Sequence, residues 1–205
     1  MLVSRLAQRL IVMSWLALCL AIAPLCAAPH AITAVSPSIS DIQGAAAQLT
    51  DGGTVYVPAG RVEAMGTLLL PGGVNLVGAG KDKTVLYRPE SEPVDYAPII
   101  MAVDGANGKA TCIRGLSVLG VTDARSKSPD TCLRLQAVRD FRVTDCHFQR
   151  FGNAAIVVKG RCSGVVDNCT FVDNFKQPLG YLGYGVGVYG DDVWEEEVHP
   201  GTADT

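Results

Sequence analysis

Val143-Thr-Asp-Cys-His-Phe148 and Val166-Asp-Asn-Cys-Thr-Phe171 are two copies of one pattern, and each apolar position recurs after 23 residues (166−143, 169−146, 171−148). Leu133-Arg-Leu135 maps onto Ile156-Val-Val158 with the same step (156−133). Within each copy, apolar and polar residues alternate for three to five positions, pause at Asp145 or Asn168, and alternate again. Alternation is the period of a strand with one buried face. A repeat in the low twenties built from such strands predicts stacked β-coils, because one coil cannot bury its inward side chains alone. Asp and Asn suit the bend between two strands because they tolerate a left-handed backbone. An antiparallel sandwich would need the 23-residue step to be coincidence.

Composition agrees with this. The chain has 205 residues, of which 22 are glycine and 18% are charged, enough for one domain with a substantial core and many turns. Its net charge of −3 and its lack of a Lys/Arg block give no reason to expect a nucleic-acid partner.

Residues 1–28 read as a segment to be removed. Arg5 and Arg9 precede an apolar run from Leu10 to Leu25 that ends in the small residues Cys26, Ala27 and Ala28. A basic start, an apolar middle and a small-residue exit make a secretory signal, cut near Ala27 or Ala28. The run is shorter than the roughly 20 apolar residues of a membrane anchor. Leu25 and Leu18 sit where a lipoprotein signal would carry small residues before Cys26 and Cys19. The mature protein is therefore expected to be secreted or periplasmic, with no membrane span. The expected organisation is a signal peptide (1–28), a linker (29–40) and an all-β parallel β-helix domain (41–205).

Five cysteines then remain: Cys112, Cys132, Cys146, Cys162 and Cys169. An odd number in an exported chain cannot pair completely. Cys146 and Cys169 fall at one inward place on adjacent coils. Their expected spacing, about 4.8 Å, suits a disulfide and equally suits stacked free thiols acting as small hydrophobes. Free thiols are the favoured expectation.

Ser40 or Asp41 is placed to cap a short amphipathic helix, Ile42–Leu49, whose two apolar anchors suit a lid over the first coil. Beyond it, Gly52-Gly-Thr-Val-Tyr-Val-Pro-Ala-Gly60, Thr67–Leu70, Val74–Val77 and Thr84–Leu86 are short strands with Gly or Pro at their corners. The order GGTVYVPAG … GTLLLPGGVNLVGAGKDKTVL resembles the N-terminal signature of the pectate-lyase-like, right-handed parallel β-helix proteins. The helix before it sits where that superfamily carries a cap. The later CHF and CTF repeats resemble its generic coil. The resemblance implies the fold, a polysaccharide partner and a lyase- or hydrolase-like activity. It does not choose among lyases, hydrolases, epimerases and non-catalytic adhesins or scaffolds, because one fold carries many sites.

Pro89–Ala97 reads as a loop and Ile99–Val103 as the next strand. Two coils run to 30 residues, Val118 to Phe148 and Ile156 to Val186 (148−118, 186−156). The excess falls before Cys132–Gln136 and before Gly185–Tyr189, so both insertions are expected to flank one strand stack, a common place for a binding site. If Leu133, Leu135, Ile156, Val158, Val186 and Val188 point inward, the outer row holds Arg134 and Gln136, Val157 and Lys159, Gly187 and Tyr189. Arg139, Arg161 and Asp191-Asp192 follow the strands, while Tyr181, Tyr184 and Trp194 add ring faces. A cationic, hydrogen-bonding and aromatic row suits an acidic sugar chain. It is equally compatible with an ordinary solvated strand face.

Candidate catalytic residues are Lys159, Arg161, Asp191 and Asp192. Candidate substrate-binding residues are Arg134, Gln136, Tyr184, Tyr189 and Trp194. The resemblance implies for Gly190-Asp191-Asp192 the water-activating role of the Asp pair in polygalacturonases. The chain departs from that pattern at Lys159-Gly160-Arg161, where another Asp is expected, and lacks the later Gly-His and Arg-x-Lys motifs. A glycosidase also needs a second, opposed carboxyl group. A lyase needs the uronate carboxylate neutralised, usually by calcium, and a basic residue to take the neighbouring proton. Lys159 or Arg161 is placed for that step, with Asp191 and Asp192 among possible Ca2+ ligands. His147 alternates outward on a different face and is read as surface. Because Val186–Tyr189 is a full coil strand followed by a polar tail, further coils or a capping partner are expected beyond it.

Overall fold

The computed structural model describes residues 30–88, 100–105, 107–121, 131–174 and 183–190. Apart from one helix, α1 (Ile39–Ala46), its regular elements are short strands that pair only in parallel. Sheet A holds β1 (Ala31–Thr33), β2 (Gly53–Val57), β5 (Val74–Gly78), β8 (Cys112–Arg114), β11 (Phe141–Thr144) and β14 (Gly164–Asp167), in that order. Sheet B stacks β3 (Gly60–Glu63), β6 (Thr84–Tyr87), β9 (Ser117–Leu119), β12 (His147–Gln149) and β15 (Thr170–Val172). Sheet C stacks β4 (Leu68–Pro71), β7 (Met101–Asp104), β10 (Thr131–Gln136), β13 (Ala154–Lys159) and β16 (Tyr184–Tyr189). The chain visits A, B and C in turn, once per coil, so the sheets form a parallel β-helix.

The register follows the sequence repeat. Val143 pairs with Val166 and Phe148 with Phe171. The two phenyl rings stack with centroids 5.5 Å apart and planes 20° from parallel. Leu68, Met101, Leu133, Ile156 and Val186 form one inward ladder. Its first four members are fully buried, each such side chain contributing roughly 1.5–3 kcal/mol by leaving water. In the last coil, Val186 and Val188 keep the same inward register yet are 38% and 75% exposed, because no strand beyond β16 covers them among the described residues.

The bends explain the polar pauses. Gly115, Asp145 and Asn168 occupy the A-to-B turn of successive coils with φ of 69°, 52° and 50°. The Asn168 amide donates to the Asp145 carboxylate, so the turns bond to each other as well as the strands. Arg150 and Asp173 (φ 63° and 51°) repeat the device after sheet B, and Ala137 and Gly160 (φ 53° and 75°) repeat it after sheet C.

The N-terminal end is closed differently from the sequence expectation. The helix begins at Ile39, not Ile42, and Ser38 caps it by accepting from the Asp41 N–H at 3.2 Å. Ser36, Ser38, Ser40 and Asp41 all have capping chemistry, and the docking of Ile39, Ile42, Ala45 and Ala46 onto the core selects Ser38. Gln43 then reaches the edge strand β4. Its Nε2 donates to Leu69 O (2.9 Å), and its Oε1 accepts from Leu69 N (2.8 Å). The helix thus covers the bare end of the core and satisfies an edge backbone that would otherwise be open. The stretch 29–40, expected as linker, carries β1 at the outer edge of sheet A.

Pro89–Ala97 and the signal segment lie outside the described residues. No helix among the described residues is long and apolar enough to cross a membrane.

Candidate functional site

All three long connections, β6 to β7, β9 to β10 and β15 to β16, run from sheet B to sheet C. They deliver the chain to the same stack, as the insertions at Leu119–Thr131 and Val172–Gly185 implied.

Two ladders cross the outer face of sheet C. One joins Leu69, Ala102, Arg134, Val157 and Gly187; the other joins Pro71, Asp104, Gln136, Lys159 and Tyr189. Past Leu69, the first ladder is closed to solvent for most of its length: Val157 is 2% exposed, Ala102 and Gly187 are buried, and Arg134 is half-buried. The Arg134 Nε is sequestered with no hydrogen-bond partner among the described residues. A polymer on this face would therefore not meet Arg134, Lys159 and Tyr189 as one open row. Arg134 stands in the covered ladder, and Gln136 takes its place beside Lys159.

The second ladder is presented to solvent. Gln136 is exposed, while Lys159 and Tyr189 are half-buried. The Tyr189 ring lies over the strand's own Gly187: a Cβ at 187 would sit 2.8 Å from its Cε2 and 3.0 Å from its hydroxyl. A Cβ at 187 would push the ring away, so glycine lets it lie against the sheet. Backbone bonds hold the ladder together where the strands end. The Ala137 N–H donates to Lys159 O (3.1 Å), and the Gly160 N–H to Tyr189 O (3.2 Å). Arg161 is exposed in the turn after β13, and Arg139 is exposed one coil earlier.

Tyr184 is 49% exposed but begins β16, in the ladder Thr131–Ala154–Tyr184. It stands about 16 Å from Tyr189 along the strand, so the two rings are not one cluster. Its position is set by Asn153, which the sequence did not single out. The Asn153 carbonyl accepts from the N–H groups of Gly183 and Tyr184, each at 2.9 Å, and its buried Nδ2 donates to Thr131 Oγ1 at 3.2 Å. Asp104, also missed, joins the ladder because β7 pairs with β10 across a 32-residue step (133−101), which hides the register. Asp191, Asp192, Trp194 and Tyr181 lie outside the described residues.

The other charged features stand elsewhere. His147 faces outward on sheet B, with Nε2 3.5 Å from Gln149 Oε1. On sheet A, Arg142 grips Asp167 in two-pronged fashion, Nε to Oδ1 at 3.2 Å and Nη2 to Oδ2 at 2.7 Å. That bond lowers the Asp167 pKa and raises that of Arg142.

Calcium requires a shell of oxygen ligands. Among the described residues, no three His, Cys, Asp or Glu side chains converge on a point. Asp191 and Asp192, the sequence candidates for Ca2+ ligands, lie outside the described residues.

No family model matches the chain, and no curated protein sequence does. Solved structures do. The catalytic domain of a GH87 α-1,3-glucanase in complex with nigerose aligns at a TM-score of 0.51 and 18% identity, over 80% of this chain and 33% of its own. The A-module of the mannuronan C-5 epimerase AlgE6 of Azotobacter vinelandii aligns at a TM-score of 0.48 and 17% identity, over 66% of this chain and 46% of its own. The chain thus spans between a third and a half of these structures. The likeness to the glucanase domain shows the fold, a right-handed parallel β-helix.

Proposed function

We propose that this is an exported β-helix protein that engages acidic polysaccharide on the outer face of sheet C and processes it there. The observation that carries the reading is the ladder Gln136–Lys159–Tyr189: an amide, a cation and a ring on successive coils, with exposed Arg161 in the adjoining turn. Strand spacing of about 4.8 Å brings neighbouring side chains to bear on one or two sugar units. Lys159 and Arg161 neutralise carboxylates, Gln136 hydrogen-bonds hydroxyls, and the flat Tyr189 ring accepts a sugar face. The similar glucanase domain comes from a polysaccharide-acting enzyme, which supports a polysaccharide partner.

In a lyase, Lys159 or Arg161 takes the proton beside the uronate carboxylate while the glycosidic oxygen leaves, creating a carbon–carbon double bond. Asp191 and Asp192 follow Tyr189 in sequence, and Asp104 pairs with Gln136 in the ladder itself. The competing reading is a non-catalytic adhesin or scaffold that binds without turnover.

Polygalacturonate and alginate test both. Ultraviolet absorbance of unsaturated product, followed with and without calcium, reports elimination, and affinity electrophoresis in gels containing the polymer reports binding. Replacing Lys159 and Arg161 together with Gln is expected to weaken binding about 3- to 10-fold at low salt without unfolding the protein, because half-exposed charge pairs are each worth up to about 1 kcal/mol. The difference is expected to shrink as salt rises. Binding without product removes the enzyme reading. Undiminished binding by the double variant removes this face as the site.

A further inference from the structure

The A-to-B turns place two thiols on top of one another. The pairs on either side of them, Val143 with Val166 and His147 with Thr170, put Cys146 and Cys169 at the same level of adjacent coils. The Thr170 N–H donates to Cys146 O at 2.9 Å, so the backbones are locked at strand spacing. That spacing, about 4.8 Å, lies within the range of about 4.4–6.8 Å between Cα atoms that a disulfide spans. Both side chains turn inward. Cys146 Sγ lies 3.2 Å from Thr144 O, and Cys169 Sγ lies 3.5 Å from Val143 O. They differ in access: Cys146 is fully buried, whereas Cys169, in the last described coil, is half-exposed. None of the five cysteines of the described chain is in a disulfide, and the other three are engaged elsewhere. Cys132 belongs to the core, Cys112 faces outward on sheet A beside Arg142, and Cys162 Sγ bonds Lys159 O at 3.1 Å.

We infer that Cys146 and Cys169 form an oxidation site, closing on reaction with a disulfide oxidant into a bond that staples the last two coils together. The step balances as thiol–disulfide exchange. The Cys169 thiolate attacks one sulfur of the oxidant and expels the other as a thiolate, leaving a mixed disulfide. Cys146 gives up its proton and attacks the Cys169 sulfur, expelling the second thiol. The protein loses two hydrogens and two electrons, and the oxidant gains them. Cys169 is the thiol that begins, because the hydrogen bond from Cys146 lowers its pKa to about 7 against the opposing charges of Asp145 and Asp167. Burial and that same bond push Cys146 the other way. The consequence is mechanical. β14 and β15, on either side of Cys169, have no strand on their far side among the described residues. A covalent tie to the preceding coil holds them, and through them the strand that carries Tyr189.

The test uses the folded full chain, reduced and then incubated with oxidised glutathione, acid-quenched, alkylated and mapped by peptide mass spectrometry. The expected product links the Cys146 peptide to the Cys169 peptide and shows slower amide exchange across 164–172 than the reduced protein. Cys146→Ala is expected to trap glutathione on Cys169, because the resolving thiol is gone. The triple change of Cys112, Cys132 and Cys162 to Ala is expected to leave closure intact. The inference is overturned if Cys146 and Cys169 both alkylate as free thiols after oxidation. It is equally overturned if Cys169 pairs with another cysteine, or if the link forms only in denaturant.

Discussion

Phe148 and Phe171 offer an internal comparison that isolates what stacking contributes. They occupy the same place on adjacent coils, stacked 5.5 Å apart, but Phe148 lies between Val118 and Phe171, whereas among the described residues Phe171 has a ladder partner on one side only. Phe148 is fully buried and Phe171 half-buried. Truncating a fully buried Phe to Ala costs about 3–5 kcal/mol, combining lost transfer energy with the cavity left behind. Phe148→Ala removes in addition both ring–ring and ring–Val118 contact, so the upper half of that range is expected. Phe171→Ala vacates a site already open on one side, where water fills the gap, and about 1.5–2.5 kcal/mol is expected from the reduced area alone. Urea unfolding followed by far-ultraviolet circular dichroism reads both. With a slope of about 2 kcal/mol per molar, the midpoint should fall by about 2 M for Phe148→Ala and about 1 M for Phe171→Ala. Equal losses would show that the two rings are buried alike and would refute this reasoning.

Further outcomes follow from single contacts. Gln43→Ala should cost about 1–2 kcal/mol, because it unpairs both backbone groups of Leu69 at the sheet edge, and amide exchange at Leu69 should accelerate. Ala137→Gly should stabilise the protein by up to about 1 kcal/mol in the same urea assay, since Ala137 has φ 53° where the next coil carries Gly160. Asp167 is held below the usual carboxylate range by Arg142, so its contribution to stability is present above its unfolded pKa and is lost as pH falls through the folded value. Carboxyl titration by nuclear magnetic resonance should show the lowered value, and Arg142→Gln should return it toward normal.

The regular part of the coil was legible in the chain because each coil offers the same environment at the same place. Only a small set of residues fits each place: an apolar side chain at Val143 and Val166, a left-handed Asp or Asn at 145 and 168, a phenyl ring at 148 and 171. Where the step stayed at 23 residues, register could be read directly. The candidate row was legible in part. Lys159 and Tyr189 were correctly placed on one outward stack, since alternation sorts inner from outer along any strand.

Alternation does not say which outward residue stands beside which, or what covers it. Between β7 and β10, and again between β13 and β16, the chain leaves the coil and returns after 32 and 30 residues (133−101, 186−156). An excursion of any length can rejoin the ladder, because pairing depends on where a strand docks and not on the length of chain before it. Tertiary structure therefore decided that Asp104 joins Gln136 in the outer ladder, and that Val157 is buried although it points outward. It likewise chose Ser38 among four possible helix caps, by docking Ile39, Ile42, Ala45 and Ala46 onto the core. Local chemistry determined the repeating unit, and docking between distant segments determined how the irregular pieces meet.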